Sequence, residues 1–150
     1  MPESAANKKM VGILLITHGT LGESLIHCAS HVIGERPSHV MQIGVTPQDA
    51  PERILPHAIK LLRTLDQGAG VLVFSDIYGA TPCNIASRLL SPGKVEGIAG
   101  VNLPMLIRAL TYRTEPLRTV VDKALSGGAE GVMQIPFSQL RNAASASRNR

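Results

Sequence analysis

Short, strongly apolar runs alternate along this chain with longer amphipathic segments, and this alternation restricts the fold more than any other feature. Val11–Thr17 is apolar up to its final threonine apart from one glycine, and Val71–Ser75 is apolar until its last residue. A run without polar alternation is typical of a strand buried on both faces of a sheet. Two further strands are predicted over His39–Val45 and Val95–Val101.

The segments between these strands have the apolar spacing of helices. We predict helices over Leu21–Ile33, Ala50–Leu65, Cys83–Leu90, Pro104–Tyr112 and Leu117–Leu125. The pair Gly127–Gly128 then predicts a turn into a last strand over Val132–Ile135. This order predicts a single α/β domain with a mainly parallel sheet, right-handed crossovers and helices on both faces.

The ends of the chain differ in composition from its middle. Residues 1–9 are small and polar, and residues 137–150 form a tail rich in Ala, Ser, Asn and Arg; both predict loose ends around one domain over residues 10–136. The formal net charge of +4 comes largely from the polar ends of the chain, at Lys8, Lys9, Arg141, Arg148 and Arg150. Basic residues without interleaved aromatics do not resemble a nucleic-acid surface, so no nucleic-acid partner is expected.

Two separate cysteines, Cys28 and Cys83, form neither a disulfide framework nor a zinc motif, which favours a reducing compartment. The longest apolar run, Met10–Ile16, is too short to cross a bilayer and lacks a convincing cleavage site. A cytoplasmic protein is therefore expected.

Polar residues follow the predicted strands at the points where the strands end. His18 follows the first strand and Asp76 the third, and a strand order of 2-1-3-4 would place them side by side at the switch crevice of the sheet. A carboxylate on one imidazole nitrogen fixes the tautomer and leaves the other nitrogen as a nucleophile near neutral pH. The pattern thus makes His18 a candidate nucleophile, suited to accept a phosphoryl group, and Asp76 the candidate to orient its ring.

The residues around this pair suit an anion. Helices begin just after His18 and near Thr81, and their free N–H groups favour phosphate oxygens. Thr20 and Thr81 are candidates to supply hydroxyls to those oxygens. Three small residues keep side chains out of the crevice, namely Gly19, Gly79 and Ala80. Asn102–Pro104 follows the fourth predicted strand and is the third segment that places a polar residue at the end of a strand.

Less specific interpretations stay open for the same residues. A histidine at a strand end is often only a turn residue, and Asp76 is equally typical of a turn or a helix cap. His27 and His31 lie four residues apart on one helix, but two ligands hold zinc poorly, so no metal site is predicted. Neither a Walker A motif nor a dinucleotide-binding glycine pattern is present, and no cofactor is expected.

Three blocks in this order resemble the mannose-type enzyme IIA of the bacterial phosphoenolpyruvate-dependent sugar phosphotransferase system. They are Ile16–Gly19, Ser75–Asn84 and Gly100–Leu106, and the resemblance extends from about Val11 to Ile135. Where that family often has Phe-Gly-Gly-Ser, this chain has Tyr78-Gly79-Ala80-Thr81, which still offers a small residue and a hydroxyl.

The resemblance implies a specific site and specific partners. The histidine at the position of His18 accepts phosphate from a histidine phosphocarrier protein and passes it to an enzyme IIB. Asp76 would orient the ring and Thr81 would bind the phosphate. The family is typically homodimeric, has an additional antiparallel edge strand, and associates peripherally with a membrane permease complex. Asn102–Met105 matches a loop beside the active site, and apolar partner contacts are expected from Leu21, Leu103 or Met105.

Other functions fit parts of the same pattern. A regulatory phosphorelay protein or the phosphotransfer subunit of a dihydroxyacetone kinase would share the phosphohistidine. A tetrapyrrole metal chelatase also opens with a strand and His-Gly, but it needs a downstream histidine, and all five histidines here lie at or before His57. A binding module for small ligands would use the crevice without a covalent step.

Overall fold

The computed structural model of the chain describes residues 9–137, in which four strands form one parallel sheet. The strands are β1 (Gly12–His18), β2 (Val40–Val45), β3 (Val71–Ser75) and β4 (Val95–Ala99). The helices are α1 (Leu21–Ile33), α2 (Pro51–Leu65), α3 (Thr81–Ser87), α4 (Leu103–Tyr112) and α5 (Leu117–Glu130). None of these helices is long and apolar enough to cross a lipid bilayer. The predicted tails lie outside the described residues except for Lys9 and Phe137.

The strand order is β2-β1-β3-β4, which confirms the predicted order 2-1-3-4. Every pairing in the sheet is parallel, and β1 lies between β2 and β3. The register places Ile16 opposite Ser75, so β1 and β3 end beside each other. This adjacency brings together two segments that are distant in sequence.

The sheet separates two aliphatic cores because successive side chains of a strand point to opposite faces. Ile13 and Leu15 of β1 pack with residues of α1, α4 and α5. Leu14 and Ile16 pack on the other face with residues of α2 and α3. All four side chains are fully buried, and burial stabilises each by roughly 1.5–3 kcal/mol. The expected layer of helices on both faces is therefore confirmed.

Several helix and strand ends differ from the predicted ones by a few residues. One of them is α3, which begins at Thr81 rather than Cys83 and ends at Ser87 rather than Leu90. Pro82 is tolerated in the first turn of α3, because N–H groups there have no hydrogen-bond partner within the helix and the N–H that proline lacks is not needed.

The predicted turn at Gly127–Gly128 is wrong, since both glycines lie inside α5. A Cβ atom on Gly127 would come within 2.7 Å of the Cβ of Arg108, and one on Gly128 would collide with Met105. The glycines therefore allow α5 to approach α4 closely. That packing outweighs the cost of about 1 kcal/mol that glycine carries inside a helix.

The last strand predicted over Val132–Ile135 is also absent from residues 9–137, so the expected edge strand is corrected to an irregular segment. Because α5 continues to Glu130 instead of ending at Leu125, five of the residues expected in the turn and its approach to the strand are helical. The side chains of the segment Val132–Ile135 lie in solvent, and Val132 and Ile135 are each 74% exposed.

A buried arginine closes the end of the sheet at which β1 and β2 begin. The guanidinium of Arg113 donates to the backbone oxygens of Val11, Ser38 and His39 at 2.6–3.3 Å. Burial lowers the pKa of Arg113 to about 10, so the side chain is still a cation at neutral pH. Arg113 therefore ties the start of both strands to the end of α4.

Candidate active site

The site lies at the carboxyl ends of the two central strands. His18 is the last residue of β1, and Asp76 follows the last residue of β3. Because these parallel strands are neighbours in register, their ends present both side chains at the same edge of the sheet. The structure thus brings together the histidine and the aspartate that the sequence singled out.

The two side chains are in direct contact. His18 Nδ1 lies 2.8 Å from Asp76 Oδ2, and the backbone N–H of His18 donates to the same oxygen at 3.0 Å. The other oxygen of Asp76 accepts from the N–H of Ile77 at 3.1 Å. The carboxyl is therefore held from three directions.

The carboxylate also determines which ring nitrogen is available. Partial burial raises the pKa of Asp76, but hydrogen bonds from the backbone and ring of His18 outweigh it and leave the pKa below its usual value. An ionised carboxylate only accepts hydrogen bonds, so the neutral ring donates from Nδ1 and carries its lone pair on Nε2. The His18 side chain is 50% exposed, and Nε2 makes no hydrogen bond within residues 9–137. The geometry therefore leaves the Nε2 lone pair of a half-exposed ring without a hydrogen-bond partner among the described residues.

The turn after His18 supplies small and polar groups. Gly19 has a φ of +53°, a left-handed conformation that glycine adopts without strain. Thr20 precedes the first helical residue of α1, yet its hydroxyl makes no capping hydrogen bond. The Thr20 hydroxyl is consequently free to bind another oxygen near His18.

The segment after Asp76 has similar features. Gly79 has a φ of +82°, Ala80 is the N-cap residue of α3, and Thr81 is the first residue of that helix. Thr81 is exposed, and its hydroxyl has no hydrogen bond to any described residue. These residues follow the carboxylate in sequence, and the side chain of Asp76 itself is only 8% exposed, so the accessible part of the pair is the ring of His18.

The third predicted segment is engaged within the fold. Asn102 caps α4 by accepting from the N–H of Met105 at 2.9 Å, and it donates to the carbonyl of Gly128 at 3.1 Å. The Met105 side chain is only 5% exposed, and Leu103 is partly buried against the same core. Asn102 and Met105 therefore serve packing and capping, and they offer little surface to a partner.

Two exposed apolar residues beside the site were missed by the sequence reasoning. Ile77 is 59% exposed and Tyr78 is 87% exposed, and both directly follow Asp76. Leu21, which was expected as a contact, is 40% exposed. We refer to Leu21, Ile77 and Tyr78 as the apolar rim. The signal in the sequence was a pair of large apolar residues inside a turn, where no helix or strand can bury them.

The two histidines of α1 lie apart from this site. The rings of His27 and His31 have centroids 4.5 Å apart. Within residues 9–137, no group of three or more His, Cys, Asp or Glu side chains is arranged to hold a metal ion.

Sequence comparison places the chain among known phosphotransferase system proteins. A family model described as EIIA-man, PTS system fructose IIA component, matches residues 12–124. The PTS system mannose-specific EIIAB component of Escherichia coli strain K12 is 33% identical over 139 residues, which are 91% of this chain and 43% of that protein. The chain thus spans less than half the length of that relative. The PTS system fructose-specific EIIA component of Bacillus subtilis is 24% identical over 105 residues, covering 69% of this chain and 71% of that protein.

Solved structures show the same fold. A phosphotransferase system component EIIA from Streptococcus agalactiae superposes with a TM-score of 0.74 at 24% identity, covering 87% of this chain and 99% of that one. A mannose/sorbose specific IIA subunit from Enterococcus faecalis superposes with a TM-score of 0.76 at 22% identity, covering 85% and 96%.

Proposed function

Because this chain belongs to the EIIA-man family of phosphotransferase system IIA components, we propose that it carries a phosphoryl group on His18. The donor is a histidine phosphocarrier protein and the acceptor is an enzyme IIB. The observation that carries the proposal is the 2.8 Å contact between His18 Nδ1 and Asp76, which leaves Nε2 exposed.

The chemistry is an in-line exchange between two rings. The Nε2 lone pair of His18 forms a bond to phosphorus while the donor's P–N bond breaks and its electron pair returns to the donor's imidazole. The phosphorylated ring of His18 is positively charged, and Asp76 stabilises it through the Nδ1–H hydrogen bond. Since the bond broken and the bond formed are alike, the protein needs to supply mainly placement and charge stabilisation. The second transfer, to the enzyme IIB, runs by the same exchange.

The phosphoryl oxygens require donors of their own. The hydroxyls of Thr20 and Thr81 are free of hydrogen bonds within the described chain. Gly19, Gly79 and Ala80 keep large side chains away from the approach to Nε2. We therefore assign phosphate binding to these five residues.

The partner proteins dock on the apolar rim. A phosphoryl group transfers between two imidazoles only when a partner covers His18 and excludes water, and exposed apolar side chains at that point favour such a contact. Donor and acceptor must reach the same nitrogen, so they bind in turn and only transiently. Leu103 lies farther inside and is at most a minor contact.

A homodimer is part of the proposal. Val132, Met133 and Ile135 expose 73–74% of their surface after α5, an arrangement that favours burial against a second copy. Within residues 9–137, the outer edge of β4 has no strand paired with it. Replacing both Met133 and Ile135 by Ser should lower the molar mass measured by light scattering from two chains to one.

The remaining assignments concern context. We propose that residues 10–136 form the IIA domain and that the protein acts in the cytoplasm, in peripheral association with a membrane permease complex. The phosphohistidine itself is also compatible with a regulatory phosphorelay or a dihydroxyacetone kinase subunit. These roles differ in the acceptor, so the acceptor must be tested directly.

Intact-mass measurement tests the proposal. The chain is incubated with phosphoenolpyruvate, enzyme I and the phosphocarrier, and its mass is read at neutral pH. We expect one acid-labile phosphoryl group on the wild type and none on His18→Ala. His57→Ala, which removes an exposed histidine of α2, is the matched control and should be phosphorylated normally.

A second stage identifies the acceptor. Addition of a purified enzyme IIB should discharge the phosphorylated chain within the mixing time of a manual experiment. No phosphoryl gain with a donor that is itself phosphorylated would contradict the proposal. Discharge only to a dihydroxyacetone kinase subunit would assign the chain to that system instead.

A further inference from the structure

We infer that Thr17 and Gly44, neither of which reaches the reacting atoms, are positioning residues that fix His18 for transfer. The inference rests on the proposed function. It follows from how the turn between β1 and α1 folds back onto the sheet.

Thr17 holds this turn from the helix side. Its side chain is fully buried, and its Oγ1 accepts the N–H of Gly22 at 2.9 Å. Gly22 lies in the first turn of α1, where N–H groups have no partner inside the helix. The residue before His18 is thereby tied to the helix that starts three residues after it.

Gly44 makes room for the turn on the neighbouring strand. It pairs with Thr17 in the sheet, and a Cβ atom on Gly44 would overlap the carbonyl oxygen of Gly19. The next residue, Val45, accepts the N–H of Gly19 at 2.9 Å. Gly44 does not have a positive φ, so glycine is required here for space rather than for backbone conformation.

These contacts fix the backbone on both sides of His18. Thr17 is anchored before it and Gly19 after it, while Asp76 holds the N–H and the ring of His18 itself. The direction of Nε2 then depends on very few free torsions. Such precision matters, because a misplacement of about 1 Å can reduce the rate of an oriented transfer by roughly 100-fold.

The contact of Thr17 has a second effect, on Thr20. An N-cap threonine ordinarily accepts an N–H from the second or third residue of its helix. Thr17 takes the N–H of Gly22, and Thr20 makes no capping bond. Thr17 therefore caps α1 and leaves the Thr20 hydroxyl for the phosphoryl oxygens.

Substitutions of Thr17 test the hydroxyl. Thr17→Val keeps the shape but removes the acceptor, and we expect phosphoryl uptake at saturating donor to fall by at least about tenfold. Thr17→Ser restores the acceptor and should stay within about twofold of the wild type. Ser75→Ala is the matched control, because Ser75 precedes Asp76 as Thr17 precedes His18, yet its buried hydroxyl has no hydrogen-bond partner. Its uptake rate should not change.

Gly44→Ala tests the space for Gly19 independently. We expect a loss of uptake similar to that of Thr17→Val. Gly97→Ala on β4 is the control, since its Cβ would crowd only the tip of Leu90, which can move, and would lie at an ordinary 3.7 Å from the Val73 carbonyl oxygen. If Thr17→Val does not fold, Gly44→Ala and Thr17→Ser carry the test.

The ¹⁵N NMR signals of the His18 ring separate this inference from the proposed function. Thr17→Val and Gly44→Ala should shift the Nδ1 signal and weaken the tautomer preference, even if no phosphoryl donor is competent. A wild type that takes up no phosphoryl group would remove the proposed function. Wild-type rates and unshifted ring signals in folded Thr17→Val and Gly44→Ala, or an equal loss of rate in Thr17→Ser, would overturn the inference.

Discussion

A single oxygen of Asp76 accepts hydrogen bonds from both the backbone N–H and the ring Nδ1 of His18, at 3.0 and 2.8 Å. The two residues are separated by 58 positions in the sequence and are brought together only by the pairing of β1 with β3. Because one atom holds two groups of the same residue, the ring is fixed relative to its own backbone. The carboxylate therefore controls the orientation of the nucleophile as well as its tautomer.

Asp76→Asn should slow phosphoryl uptake by about 100-fold or more. The amide can offer its NH₂ group to Nδ1, which favours the wrong tautomer, and it cannot stabilise the charged phosphorylated ring. The rate is measured by intact mass at saturating donor. Asp49→Asn is the matched control. Asp49 also lies in the loop after a strand, β2, but among the described residues its carboxylate accepts hydrogen bonds only from Thr46. Equal rates in wild type and Asp76→Asn would remove Asp76 from the mechanism.

The stability gained from Asp76 should disappear in acid. The pKa of Asp76 is lower in the folded protein than its ordinary value near 4, so the folded state binds fewer protons in that range. Its contribution is fully present above that ordinary pKa and is lost as the pH falls through the folded value. We expect wild type to exceed Asp76→Asn by roughly 1–2 kcal/mol in the free energy of unfolding at pH 7.

Urea unfolding of both proteins between pH 7 and pH 3 measures this difference. The gap should be constant above about pH 5 and should narrow below about pH 4. A gap that widens in acid would show that the sign of the linkage is reversed.

Tyr78→Ala should weaken partner binding without changing stability. An exposed aromatic at an interface centre contributes about 1–2 kcal/mol, so the donor concentration for half-maximal rate should rise roughly 5- to 30-fold. Tyr78→Phe should keep most of the affinity. Because the side chain is 87% exposed, the free energy of unfolding should stay within about 0.5 kcal/mol. Val32→Ala removes another exposed apolar residue, far along α1 from His18, and should leave the donor dependence unchanged.

Arg113→Lys should destabilise the fold by about 2–4 kcal/mol. Lysine keeps the charge, but its single ammonium cannot reach three backbone oxygens in the geometry of a guanidinium. Urea unfolding measures the loss. Phosphoryl uptake by the folded protein should be normal, because Arg113 lies at the end of the sheet opposite His18. A selective loss of uptake with unchanged stability would contradict this structural role.

The sequence predicted the central features because they depend on local patterns. Apolar runs located the four strands, and the parallel order then determined that His18 and Asp76 end side by side. The predicted end of α5 came too early, because a Gly127–Gly128 pair taken by itself is typical of a turn. Their helical conformation depends on packing against Arg108 and Met105, which no local pattern reveals.

The supporting residues of the site were harder to predict for the same reason. Thr17 looks like the polar end of a strand, and its role depends on where Gly22 lies in space. Gly44 looks like an ordinary strand glycine, although its missing side chain admits the Gly19 carbonyl from another strand end. The burial of Arg113 could not be predicted from its sequence neighbours, because the backbone carbonyls that accept its hydrogen bonds belong to the first third of the chain.

The Arg113 tie also determines the order in which this molecule can be completed. The carbonyls of Val11, Ser38 and His39 are synthesised long before the guanidinium that satisfies them. On the ribosome, the first two strands must wait, with that end hydrated, until residue 113 has emerged. A nascent chain stalled before that point would lack this closure, whereas one stalled with Arg113 already outside the ribosome could make it.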